Sequence, residues 1–160
     1  MLGHDASFSH IHAVNLTQSK NLLVKRIGYL ACSLFIDKSS DILILLIATV
    51  QKDLQSKNHL EVMAALNVIS KLCHMHIITA VSEIVHQLMN HTHELIRKKA
   101  VMVLISFNKV APIEQFDVKM KRALCDKDPS VMNAALNYFL DEVKKRPSDF
   151  KELVQSFIVI

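Results

Sequence analysis

Apolar residues recur at three- and four-residue intervals along almost the whole chain, the spacing that gathers them on one side of an α-helix. That spacing predicts nine helices, at about 6–17, 22–36, 41–55, 59–73, 76–90, 93–110, 112–125, 128–146 and 148 to the end. Start signals support several of them. Asp5 is placed to cap the first helix by accepting from its free amides. Pro112 is read as opening the seventh, and Asp128-Pro129 opens the eighth, with proline where its missing N–H costs nothing. Arg146-Pro147 ends the eighth, because proline disfavours helical geometry in the residue before it. The links are short, so neighbouring helices must run antiparallel.

The helices also repeat. LQSKNHLEVMAALNVIS from Leu54, LMNHTHELIRKKAVMVLI from Leu88 and LCDKDPSVMNAALNYFL from Leu124 share one plan: a leucine, a polar turn, then a helix with a small residue at its middle. Those small residues are Ala65, Ala100 and Ala135, spaced 35 apart, and Gly28 stands 37 before Ala65. A small residue at a fixed place lets neighbouring helices approach closely. A recurring period of this length, with two helices per unit, predicts an all-α fold, an α-solenoid of antiparallel helix pairs like HEAT or armadillo arrays, in preference to a non-repetitive bundle. Both termini are apolar, Met1-Leu2 and SFIVI, whereas solenoid ends carry polar faces. The expectation is that 1–160 is a single solenoid segment of a longer array, prone to self-association through those ends.

Composition narrows the chemistry. Two glycines among 160 residues are too few for a turn-rich sheet protein or for a glycine-rich phosphate cradle. With 51% apolar residues the chain is not disordered, yet its longest apolar run, Ile42 to Val50, is too short to span a bilayer. No basic, apolar leader stands at the start. Cys32, Cys73 and Cys125 form no C-x-x-C and suit a reducing cytosol. A formal charge of +4 permits contact with acidic surfaces without demanding it.

No candidate site for catalysis or metal emerges. Nine histidines include the pairs His10/His12, His74/His76 and His91/His93, but i and i+2 diverge on a helix, and the turn pairs lack the four closely spaced ligands of structural zinc. No H-E-x-x-H, G-x-S-x-G or P-loop pattern occurs. Four basic clusters, Lys25-Arg26, Arg97-Lys98-Lys99, Lys119/Lys121/Arg122 and Lys144-Lys145-Arg146, either line one edge of the solenoid or form an ordinary solvated face. In the third helix Leu43, Leu46, Ile47, Val50 and Leu54 make one core-facing stripe, which leaves Ile42 and Leu45 off it. In the first, Ile11 and Val14 pair at i, i+3 while Ala13 and Leu16 serve the opposite side. Apolar residues beyond one stripe either pack on the next repeat or are offered to a partner.

MLGHDASF, IHAVNL, KRIGYLACSLF, KDLQS, IRKKAV, ALCDKDPSVM and DFKELVQSFIVI together resemble the trunk of the large adaptins, the α, γ, δ and ε subunits of adaptor-protein complexes. MLGHDASF with IHAV, LVKRIGYLA, ALCD and FKELVQSF is most similar to the ε type of the fourth complex, and the likeness covers all 160 residues. It begins a few dozen residues into the family's trunk. The resemblance implies a non-enzymatic piece of a heterotetramer with β, medium and small partner subunits, bound peripherally to the cytosolic face of the trans-Golgi network. Its implied role is vesicle-mediated protein sorting, with no cofactor and no nucleic acid. It further implies contact with an ARF-family GTPase in its GTP form. Registering on MLG and KRIGYL places the γ relative's GTPase-facing leucines at Ile11, Val14 and Leu45. Two rival readings stand beside this one. The first is a generic HEAT- or armadillo-like scaffold with another acidic partner. The second is a helical-repeat glycosylase, which needs a catalytic Asp among aromatics in a basic groove, a cluster this sequence lacks.

Overall fold

The computed structural model describes residues 7–36 and 42–151, and all of the regular structure there is helical. After a 3₁₀ turn at Ser7–Ser9 come α1 (His10–Thr17), α2 (Leu22–Phe35), α3 (Ile42–Leu54), α4 (His59–Lys71), α5 (Met75–Leu88), α6 (Glu94–Val110), α7 (Phe116–Leu124) and α8 (Pro129–Lys145), then a second 3₁₀ turn at Pro147–Phe150. The predicted Asp5 cap and most of the ninth helix lie outside the described residues.

The helices form four antiparallel pairs in two layers. α1 packs on α2, α3 on α4, α5 on α6 and α7 on α8. α2, α4, α6 and α8 stack in order to make one layer, and α1, α3 and α5 stack in the other. This is the expected α-solenoid. Large side chains fill the space between the layers, with Leu46, Leu54, Leu66, Ile69, Ile96, Leu104, Phe107, Met120 and Phe139 fully buried. The helix-three stripe is oriented as its spacing requires: Leu43, Leu46, Val50 and Leu54 are buried and Ile47 packs against them.

The repeat register is built from two residues seven apart. Asn21, Asn58, His93 and Asp128 cap α2, α4, α6 and α8, each accepting from the amide two residues on. Seven residues later stand Gly28, Ala65, Ala100 and Ala135, all buried. The cap fixes where each helix starts, because it satisfies an amide the first turn leaves open. Two turns on, the small residue falls on the face that meets a neighbour. Glycine is required at the first of these positions. A Cβ there would sit 2.6 Å from the Thr17 nitrogen and 2.8 Å from the Leu16 carbonyl carbon, so α1 touches α2 backbone to backbone.

Pro112 does not open α7. The helix starts at Phe116, after Gln115 adopts a left-handed conformation at φ 52°. The Asn108 side chain accepts from the Ile113 amide at 2.9 Å, and this holds the segment around Pro112 as a connecting loop.

Candidate partner interface

On the layer of α1, α3 and α5, two residues picked out by register reach the surface: Ile11 on α1 is 56% exposed and Leu45 on α3 is 57% exposed. Ile44 beside Leu45 is exposed as well. The third residue is a correction. Val14 is 3% exposed and belongs to the core, so it offers nothing to a partner. The cause is the close seat of α1 on Gly28. With Leu16 and Thr17 pressed to α2, the helix buries Ala13, Val14 and Thr17, and Thr17 Oγ1 donates to the Val14 carbonyl at 2.6 Å. Leu16, expected on the inner side, is exposed instead, and Ile42 is partly buried against the core.

Of the exposed neighbours Ile44 and Leu45, only Leu45 lacks an apolar counterpart on the next helix. Ile77 and Val81 of α5 match the buried Leu46 and Val50 of α3, so Met75 and His76 match Ile44 and Leu45, and Thr79 and Glu83 match Ala48 and Lys52. The outer face can therefore be polar at the places of Leu45, Ala48 and Lys52 without harm to the solenoid. An apolar residue at the Leu45 position is particular to α3, whereas Met75 keeps the Ile44 position apolar and exposed on α5.

The basic clusters do not form one edge. Lys25 is buried: its ammonium donates to Asp53 Oδ1 at 2.7 Å and to Glu61 Oε1 at 2.9 Å, and the Tyr29 hydroxyl donates to the other Asp53 oxygen at 2.7 Å. Burial alone lowers the lysine pKa, but the hydrogen bonds and charges of Asp53 and Glu61 outweigh it, so the Lys25 pKa is raised. Hydrogen bonds from Ser56 and Lys25 hold the Glu61 carboxyl below its usual range. Burial raises the Tyr29 pKa, helped by its bond to Asp53, so the phenol stays a donor. Arg97 forms a fork with Asp126, Nε and Nη2 each 2.8 Å from a carboxylate oxygen, and also donates to the His91 and Thr92 carbonyls. Arg146, just past the end of α8, pairs with Glu142 of that helix. Lys119 reaches His86 across an open groove of about 880 Å³ between α5 and α7, whose lining mixes cations with Glu83, Glu94, Asp126 and Asp128.

Histidine rings gather in the turns. His59 lies edge-on to His91 and His93, with ring centroids 5.2 and 4.8 Å away. His91 Nδ1 accepts from the His93 amide, which occupies one of its two ring nitrogens. Among the described residues no group of three or more ligand-type side chains is placed to hold a metal. Cys32 is buried, and burial pushes its thiol up to about 12, so it is inert as a nucleophile. No described helix is long and apolar enough to cross a membrane.

The family described as "Adaptin N terminal region" matches residues 1–160. The chain is 45% identical over 162 residues to the human protein named AP-4 complex subunit epsilon-1, covering 100% of this chain and 14% of that protein. It is also 45% identical to the AP-4 complex subunit epsilon of Arabidopsis thaliana, covering 17% of that protein. AP-3 complex subunit delta-1 of Bos taurus matches at 28% identity. A structure titled "Homology model of the full-length AP-3 complex in an intermediate open conformation" superposes with a TM-score of 0.82 at 29% identity, over 100% of this chain and 29% of that one. The chain thus spans only 14–17% of the length of its AP-4 relatives. These relatives are named as subunits of complexes, not as enzymes.

Proposed function

Since the chain belongs to the adaptin N-terminal family, we propose that it works without catalysis, as trunk scaffold of an ε-type large subunit in a vesicle-sorting adaptor complex. In that role it assembles with the β, medium and small subunits. It acts as a peripheral protein on the cytosolic face of the trans-Golgi network. Its α1/α3 face meets an ARF-family GTPase in the GTP form. The observation that carries the last step is the exposure of Ile11 and Leu45 on neighbouring helices of one layer, with the polar His76 standing on α5 where Leu45 stands on α3. A few desolvated aliphatic anchors rimmed by polar groups suffice for such a contact. A partner whose switch segments are ordered only with GTP would bind there in that state alone.

The test is a binding titration with GTP-locked and GDP-locked ARF, using the unaltered chain and Leu45→Asp. Binding of the GTP form alone, lost by roughly 2 kcal/mol or more in Leu45→Asp, is the expected result. Melting should be unchanged, since the side chain is already in water. Equal binding of both nucleotide forms, or unaltered binding by Leu45→Asp, removes the reading.

A further inference from the structure

The opposite layer carries a second apolar surface, one that sequence reasoning did not single out. Leu23, Ile27, Leu30 and Leu34 of α2 follow i, i+4, i+7 and i+11 and are 48–66% exposed. They lie across the helix from the buried Lys25, Gly28 and Cys32. Such a stripe normally marks a core face, yet α2 buries its other side.

The repeat supplies an internal control. At the matching places α4 has Leu60, Ala64, Asn67 and Lys71, and α6 has Leu95, Lys99, Met102 and Ser106. The fold therefore does not require an apolar outer face here, and the stripe is peculiar to α2.

Three of its leucine and isoleucine side chains form one wall of a groove of about 680 Å³ between α2 and α4. Ala64 and Val68 of α4 extend the apolar surface, and its cations are Arg26, Lys71 and Lys99, with no carboxylate in the lining. Among the described residues none of these three cations makes an ion pair. The contrast with Lys25 and Arg97, both locked to acids of this chain, is sharp. Burial and the neighbouring Lys71 charge lower the Lys99 pKa, as expected of two like charges facing one space.

We infer that this groove docks an acidic amphipathic helix of a partner polypeptide. Its apolar residues, spaced i, i+4, i+7 and i+11, lie along Leu23, Ile27, Leu30 and Leu34. Its Asp or Glu residues on the flank meet Arg26, Lys71 and Lys99. The α2 stripe is about 16 Å long, three turns of a facing helix. Charge complementarity selects an acidic flank over a basic one. The inference stands apart from the GTPase reading, whose residues lie on the other layer.

The experiment is selection of displayed helices against the full chain. The library holds apolar residues fixed at i, i+4, i+7 and i+11 and randomises the flanks. Binders enriched in Asp and Glu are expected. Their affinity should fall roughly tenfold or more in the Lys71→Glu/Lys99→Glu variant, while the same helices rewritten with Lys flanks gain affinity for it. Leu30→Asp should abolish both, with an unchanged circular dichroism melt. Should Leu30→Asp misfold, the charge-reversed variant decides alone. Failure to select any binder, flanks without charge preference, or affinity untouched by charge reversal overturns the inference. Two further results overturn it by naming another occupant. One is binding confined to vesicles of equimolar phosphatidylcholine and phosphatidylserine. The other is a concentration-dependent dimer dissolved by Leu30→Asp.

Discussion

The first and last junctions of the array use one device at two depths. Lys25 stands three residues before Gly28 in α2, and Arg97 stands three before Ala100 in α6. Each reaches forward to an acid at the turn of the next helix pair, Asp53 with Glu61 in one case and Asp126 in the other. In α4 and α8 the matching places hold Val62 and Met132, so alternate repeats carry the cation. The difference is burial. Lys25 is 6% exposed, and the acid it shares with Tyr29 is buried too, whereas Arg97 and Asp126 sit in partial contact with water. A sealed ion pair becomes a liability once one member is removed, because the survivor stays charged and dry. A half-wet pair lets water replace the missing partner.

Lys25→Met therefore has the largest expected effect. It leaves Asp53 buried with only Tyr29 for company and should cost about 3–5 kcal/mol in chemical denaturation. Loss of less than half that would mean that Asp53 is hydrated in the folded chain. Gly28→Ala comes next, at about 1–3 kcal/mol, because the added methyl meets the backbone of α1 and no flexible side chain can yield. Ala65→Gly in the same register position, free of any clash, serves as its control, losing about 1 kcal/mol through helix propensity and lost packing. Arg97→Met should cost about 1–2 kcal/mol, less than Lys25→Met despite its two-pronged bond, since Asp126 regains water. If Arg97→Met proves the more costly of the two, depth of burial is not what separates the junctions.

The smallest effect is a dependence on pH. Burial, with the neighbouring His59 and His93, lowers the His91 pKa, so the folded chain binds fewer protons than the unfolded chain below about pH 6.5. Stability is present in full above that value and declines as pH falls through the folded pKa. The lowered Glu61 and Asp126 pKa values act in the same direction further down, below about pH 4. The raised Lys25 pKa has the opposite sign: its contribution is complete below the unfolded lysine value and is lost as pH climbs through the folded one. A pH series of melts with His91→Gln should reduce the first decline, leaving the part that belongs to His86, whose pKa burial and the Lys119 charge also lower, and should leave the others unchanged.

How much of this was legible in the sequence depends on whether the signal was local. Asp128-Pro129 announces α8 because a cap and its first-turn proline adjoin. The small residues announce the close helix contacts because they recur in register. Pro112 misled because a proline tolerated at a helix start is equally at home in a loop, and the left-handed Gln115 gives no sign of itself in the sequence. Lys25 and Arg26 read as one basic cluster, although adjacent residues on a helix point in different directions and the acids that hold Lys25 lie 28 and 36 residues away. At the candidate interface, Leu45 could be told from the core stripe by its place on the wheel. Val14 could not, because on so short a helix the buried side is decided by where Gly28 allows α1 to rest.

The alternation of cations also has a mechanical consequence. The junctions α2/α4 and α6/α8 are pinned by charged hydrogen bonds, which are directional and resist sliding. Between α4 and α6 the described residues include apolar packing, the neutral bond from Gln51 to the Ala80 carbonyl across α3 and α5, the weak bond from the Cys73 thiol to the Ser106 carbonyl, and the edge-on rings of His59, His91 and His93. Contacts of that kind lose little when one surface shifts over another. On these contacts the central joint is expected to yield before the two that flank it. Any change in the curvature of this stretch of trunk would then come mainly from rotation of the α3/α4 pair against α5/α6.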